Sequence, residues 1–96
     1  MSARARSLFE VADHVEIAGR GAFVVGHIRD GLFRVGMQVR TSENASTLTI
    51  AAVEYLDRAT EQKFWNALAF HERPTLGFLK QVFPVGSVLE AQDRAS

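Results

Sequence analysis

The chain has 96 residues, no cysteine, 47% hydrophobic and 23% charged residues, and eleven basic side chains against eleven acidic ones. That length carries one domain with one core. The composition excludes a disordered or fibrous chain, and the missing cysteines exclude disulfides, thiolate metal sites and a cysteine nucleophile.

A zero net charge removes the global positive field that drives non-specific binding to nucleic acid. No apolar run reaches the length of a signal-peptide core or a membrane span, so a cytoplasmic protein outside the membrane is expected. The balance hides an asymmetry: up to Thr41 there are six arginines against four acids, and beyond it five basic residues against seven acidic ones. A local basic face and an ordinary solvated surface both fit that difference.

In chain order the dominant signal is alternation. In "FEVADHVEI" (9–17) Phe9, Val11, Val15 and Ile17 fall on alternate positions with Glu10, His14 and Glu16 between them, the pattern of a half-buried strand. Asp13 breaks the alternation, and a bulge there accounts for it. "AFVVGHIRD" (22–30) is β-branched and runs into Asp30-Gly31, a hairpin-type turn signal. "MQVRT", "TLTIAAVEYL", "NALAFHE" and "SVLEA" continue the series, separated by "SENAS", "DRATEQKF" and the long "RPTLGFLKQVFPVG".

Six short strands predict an all-β domain. The exception is a helical turn or two within 75–83, where Leu76, Leu79 and Phe83 can plug one end of a barrel, with Pro74 just before and Pro84 and Gly86 just after. A glycine inside a strand, Gly26, marks a bend or a close backbone approach and favours a closed barrel over a sandwich. Val35-Gly36 and Val85-Gly86 each enter a strand, with glycine supplying a positive φ. The expected organisation is a flexible N-terminus (1–7), a barrel (8–91) and a flexible C-terminus (92–96).

The run "IAGRGAFVVGHIRDGLFRVGMQV" resembles the start of the second domain of elongation factor Tu and related translation GTPases. That family shows Gly-Arg-Gly-Thr, a valine-rich strand with an internal glycine, a Gly-containing turn and a Val-Gly entry to the next strand. Gly19-Arg20-Gly21, Val24, Gly26, Gly31, Val35-Gly36 and Val39 match. Downstream, "LTIAAVEYLDR", "NALAFHE" and "VFPVGSVLEA" are similar to later strands of that barrel, so the likeness spans residues 8–91. It implies a six-stranded, Greek-key-type closed β-barrel.

No Gly-x-x-x-x-Gly-Lys-Ser/Thr loop is present, so neither nucleotide binding nor GTPase activity is expected. Gly19-Arg20-Gly21 precedes a strand rather than a helix, which makes it a structural turn and not a phosphate cradle. In the family a Glu-Asp pair and a Phe on the first strand, with a Thr on the next, help receive the charged end of aminoacyl-tRNA. The corresponding positions are Ala12, Asp13, Val15 and Val25, and of the family residues only the aspartate is kept. Arg20 stands where related barrels approach RNA.

No catalytic residue, metal ligand set or cofactor is expected: His14, His27 and His71 lack ligand spacing, and each reads as an outward-facing ring on a strand. Phe64 and Trp65 could stack on a base or cap one end of the barrel. With Val24 and Ile28 inward, strand alternation sends Phe23, Val25, His27 and Arg29 outward. Phe23 and Val25 would then form an apolar patch, flanked by His27 and enlarged by Phe33, of the kind that marks an interface. The alternative is that these residues are core.

Two functions follow for a non-catalytic binding module. One is protein interaction or self-association through Phe23, Val25, His27 and Phe33. The other is association with RNA or the ribosome through Arg20, Arg29 and Arg34.

Overall fold

Alternating apolar side chains give this chain its strands, and a bend at one glycine allows them to close on themselves. The computed structural model describes residues 6–41, 47–58 and 63–93. The strands are β1 (Arg6–Ile17), β2 (Gly21–Asp30), β3 (Gln38–Arg40), β4 (Thr47–Arg58), β5 (Lys63–Phe70) and β6 (Val88–Gln92), with one helix, α1 (Leu76–Val82), before β6. They form a closed antiparallel barrel in the order β1-β2-β5-β4-β3-β6. Closure joins the first and last strands and so shortens the unpaired edges that invite aggregation of open sheets.

Three of the boundaries depart from expectation. Arg6 and Ser7 belong to β1, paired with Gln92 and Ala91 of β6, so the barrel reaches beyond 8–91 at both ends. Residues 1–5 and 94–96, assigned to flexible termini, and the connections 42–46 and 59–62 lie outside the described residues. Asp30-Gly31 does not close a hairpin, because β3 pairs with β4 and β6 and not with β2. Instead the segment 31–37 crosses one end of the barrel: the Ser7 hydroxyl donates to the Leu32 carbonyl (2.5 Å), and the Gly36 N–H reaches the Ile50 carbonyl on β4 (2.8 Å).

That crossing buries Phe33, whose ring meets Phe9 edge-on at 5.6 Å in the barrel core. Phe33 therefore belongs to the fold and not to an outer apolar patch. Gly36 and Gly86, at the two Val-Gly entries, have φ of 98° and 91°.

Gly26 is the bend. A Cβ there would lie 1.9 Å from the Glu10 carbonyl oxygen and 2.9 Å from Cε1 of Phe9, so β1 crosses directly over the glycine backbone. Around it the core gathers Phe9, Val11, Val24, Val39, Ile50, Leu68 and Leu89 from all six strands. α1 closes the end opposite the crossing segment. Thr75 caps it by accepting from the Phe78 N–H (3.1 Å), Leu79 is fully buried, and Phe83 at its C-cap stacks on Phe70.

Candidate functional site on the outer face of the barrel

The first site element is the bulge in β1. The register slips between Val11↔Gly26 and Asp13↔Val25, so Ala12 is the extra residue. One extra residue exchanges the two faces of a strand. Phe9 and Val11 point into the barrel, whereas Val15, past the bulge, packs outside it against Phe23, Val25 and Ala67. The same inversion turns His14 inward, contrary to its expected outward ring: its Nε2 lies 2.6 Å from the Phe83 carbonyl at the end of α1.

Phe23 and Val25 do point away from the barrel core, as alternation requires, but they do not face water. They are 1% and 0% exposed. Val15, Trp65 and Ala69 pack around them, the Arg20 guanidinium sits 5.2 Å above the Phe23 ring, and His27 stacks on Trp65 at 4.4 Å. The outer face thus has a small core of its own.

An interface built on Phe23, Val25 and Phe33 is corrected accordingly: all three are buried within one chain, and only His27 remains partly accessible. Trp65 is likewise on this outer face and not at the barrel's end; the Phe64 side chain lies outside the description. Val15 pairs with Phe23 across β1 and β2 and packs in the same outer cluster as Val25.

The three candidate RNA-contact arginines each meet a carboxylate. Arg20, on the β1–β2 turn, makes a forked ion pair with Glu54 of β4, with Nη1 3.0 Å from Oε1. Arg29 lies 3.0 Å from Glu10, and Arg34 lies 2.5 Å from Asp93. They stand on a turn, on the end of β2 and on the 31–37 crossing, each neutralised where it stands. A phosphate would have to displace the carboxylate in every case, which weakens the electrostatic term that RNA association rests on.

Hydrogen bonding to Arg20 is the main reason the Glu54 carboxyl titrates below its ordinary value, and the same bonds raise Arg20. A carboxyl whose folded value is depressed stabilises the fold at neutral pH, and that contribution disappears as pH falls through the folded value. Acidification below the usual carboxylate range should therefore open the Arg20 cover over Phe23, read as a change in Trp65 fluorescence, and Glu54→Gln should remove that step. An identical transition in the Glu54→Gln protein would dissociate the ion pair from the cluster.

Glu72 is also shifted: burial pushes its carboxyl up, but bonds from Thr49 and its own backbone outweigh this and hold it below the ordinary value. Its Oε1 accepts the Thr49 N–H at 2.8 Å, which ties the end of β5 to β4. Among the described residues no group of three or more His, Cys, Asp or Glu could hold a metal ion, and no helix is long and apolar enough to cross a membrane.

Two features carried no signal of their own in the sequence. Glu54 lies 34 residues from Arg20, a separation that local pattern cannot bridge. Tyr55 continues the alternation of "TLTIAAVEYL" on the inward side with Val53, yet it is 78% exposed, because β4 has left the barrel by that point. Comparison with protein-family models, with curated proteins and with solved structures finds no match.

Proposed function

We propose that the chain is a non-catalytic binding module whose partner is a second copy of itself, joined through the outlying half of the β4–β5 hairpin. The observation that carries this reading is Tyr55, the most exposed of the large apolar side chains among the described residues, on a strand with one bare edge. β3 pairs with β4 only at residues 47–49, and β2 pairs with β5 only at 66–68. Among the described residues, β4 from Ala51 onward has a single strand neighbour, β5, and residues 63–65 of β5 have only β4.

A bare strand edge offers a row of unpaired backbone donors and acceptors, which a further strand satisfies. Antiparallel pairing of identical edges is a two-fold arrangement and needs no second protein. Tyr55 adds the rigid apolar area that interfaces favour.

Sedimentation equilibrium from micromolar to millimolar protein should show a mass rising from monomer toward dimer. Tyr55→Asp, on an exposed side chain, should keep the monomer mass throughout without loss of thermal stability. A monomer at every concentration, or association unchanged by Tyr55→Asp, would overturn the reading.

A further inference from the structure

At the other end of β5 from the outlying hairpin, three unusual features converge beside the β1–β2 turn. The first is an open groove of about 460 Å³ lined by Glu16, Ile17, Ala18, Gly19, Gly21 and Arg73, within the size range of small-ligand sites. The second is the Arg73 guanidinium. Arg6, Arg20, Arg29 and Arg34 each face a carboxylate, whereas Arg73, like Arg40 and Lys80 among the described residues, has no ion pair; of these three only Arg73 lines the groove, with its Nη2 3.6 Å from where a Gly21 Cβ would stand.

The third is the backbone that aims it. Arg73 has φ of 52°, the one positive value among the described residues other than glycine. That conformation is unfavourable for a long side chain, and a following proline, Pro74, normally holds its predecessor in the extended region. Glycine would suit the position better. Residues held in strained backbone regions cluster at active sites and ligand clamps, and this one carries an unpaired cation into a groove.

The turn itself leaves the groove open. The Arg20 N–H closes residues 17–20 on the Ile17 carbonyl (2.9 Å), and Gly19, third in the turn, has φ of 81°, the position at which a type II turn needs glycine. No atom comes within 4 Å of where its Cβ would be. Ile17 is 37% exposed and gives the lining an apolar surface.

We propose that this groove binds the carboxylate end of an amphipathic acid of the N-acyl amino acid or peptide C-terminus class. The planar guanidinium of Arg73 takes the carboxylate through a two-pronged pair of hydrogen bonds. The apolar side chain of the ligand lies along Ile17 and Ala18, and its amide N–H faces Glu16. Glu16 also sets the charge preference: a single carboxylate fits a groove that holds one acid and one cation, and a dianionic phosphate is disfavoured. Arg20, on the same turn, is already committed to Glu54 and takes no part.

The test is titration of the ¹⁵N-labelled chain with N-acetyl-leucinate, with N-acetyl-leucinamide, hexanoate and inorganic phosphate as separate arms at matched ionic strength. N-acetyl-leucinate should shift the amides of Gly19, Gly21 and Arg73 along saturable curves. The uncharged amide should not do so, hexanoate should bind more weakly for want of the N–H, and phosphate more weakly still.

Arg73→Gly should weaken N-acetyl-leucinate by about tenfold or more, as expected for loss of a charged hydrogen-bond donor. The same substitution should raise the thermal midpoint by relieving the backbone. Saturable shifts that persist in Arg73→Gly, a lowered midpoint, equal binding of the amide, or tighter binding of phosphate would each overturn the proposal. It stands apart from self-pairing, since none of its residues lies on the β4–β5 hairpin.

Discussion

Gly26→Val should destabilise the chain by about 3 kcal/mol or more, at the upper end of overpacking effects. The first atom of any side chain at this position falls 1.9 Å from the Glu10 carbonyl oxygen. The obstacle is backbone, so rotamer changes cannot relieve it. β1 would have to lift from β2, and Glu10 is held on its other side by β6 through Val88. The closing of the barrel and the seat of the Phe9 ring depend on the same contact, so the strain spreads through the core.

Small domains have only about 5 to 15 kcal/mol of total stability, which makes this a large fraction. The urea midpoint should fall by about 1 to 3 M. Gly26→Ala should fall most of the way with it, because the Cβ alone makes the clash. A Gly26→Ala protein as stable as the parent would mean that β1 and β2 separate freely here.

Phe23→Ala should cost about 3 kcal/mol, the lower part of the range for a buried phenylalanine. Phe23 is 1% exposed, but its surroundings differ from those of Phe9. One wall is the Arg20 side chain, a flexible group that can settle into part of the space vacated by the ring. Phe9→Ala, in the barrel core among buried apolar side chains, has no such recourse and should exceed it. Chemical denaturation followed through Trp65, the only tryptophan and a member of the same cluster, measures the loss directly.

An interface residue of a separate partner would behave differently: truncation would leave the isolated chain nearly as stable and reduce only its association. A stability change for Phe23→Ala below about 0.5 kcal/mol, the range of ordinary surface sites, would return Phe23 to the exterior.

The barrel was legible from single residues wherever the reason was local. Alternation in "AFVVGHIRD" sets Val24 and Phe23 on opposite faces whatever the rest of the chain does, because successive side chains leave a strand on opposite sides. Gly26, Gly36 and Gly86 could be read because each answers a backbone demand that no other residue meets as well. The short helix followed from Leu76, Leu79, Phe83 and the flanking prolines, all within ten positions of one another.

What the outward side chains meet depends on partners far along the chain. Phe23 looks like an exposed patch until β5 brings Trp65 beside it and β4 supplies Glu54 to hold Arg20 across it. Arg20, Arg29 and Arg34 look like a basic face until folding gives each its own acid. The sense of β1 past Asp13 turned on whether one residue was looped out, and that depends on the register against β2 rather than on β1 alone. Burial and charge pairing are sums over neighbours in space. A one-dimensional pattern carries the alternation of side chains along a regular stretch of strand, and only closure of the barrel decides which face is which and whether water, a ring or a carboxylate waits there.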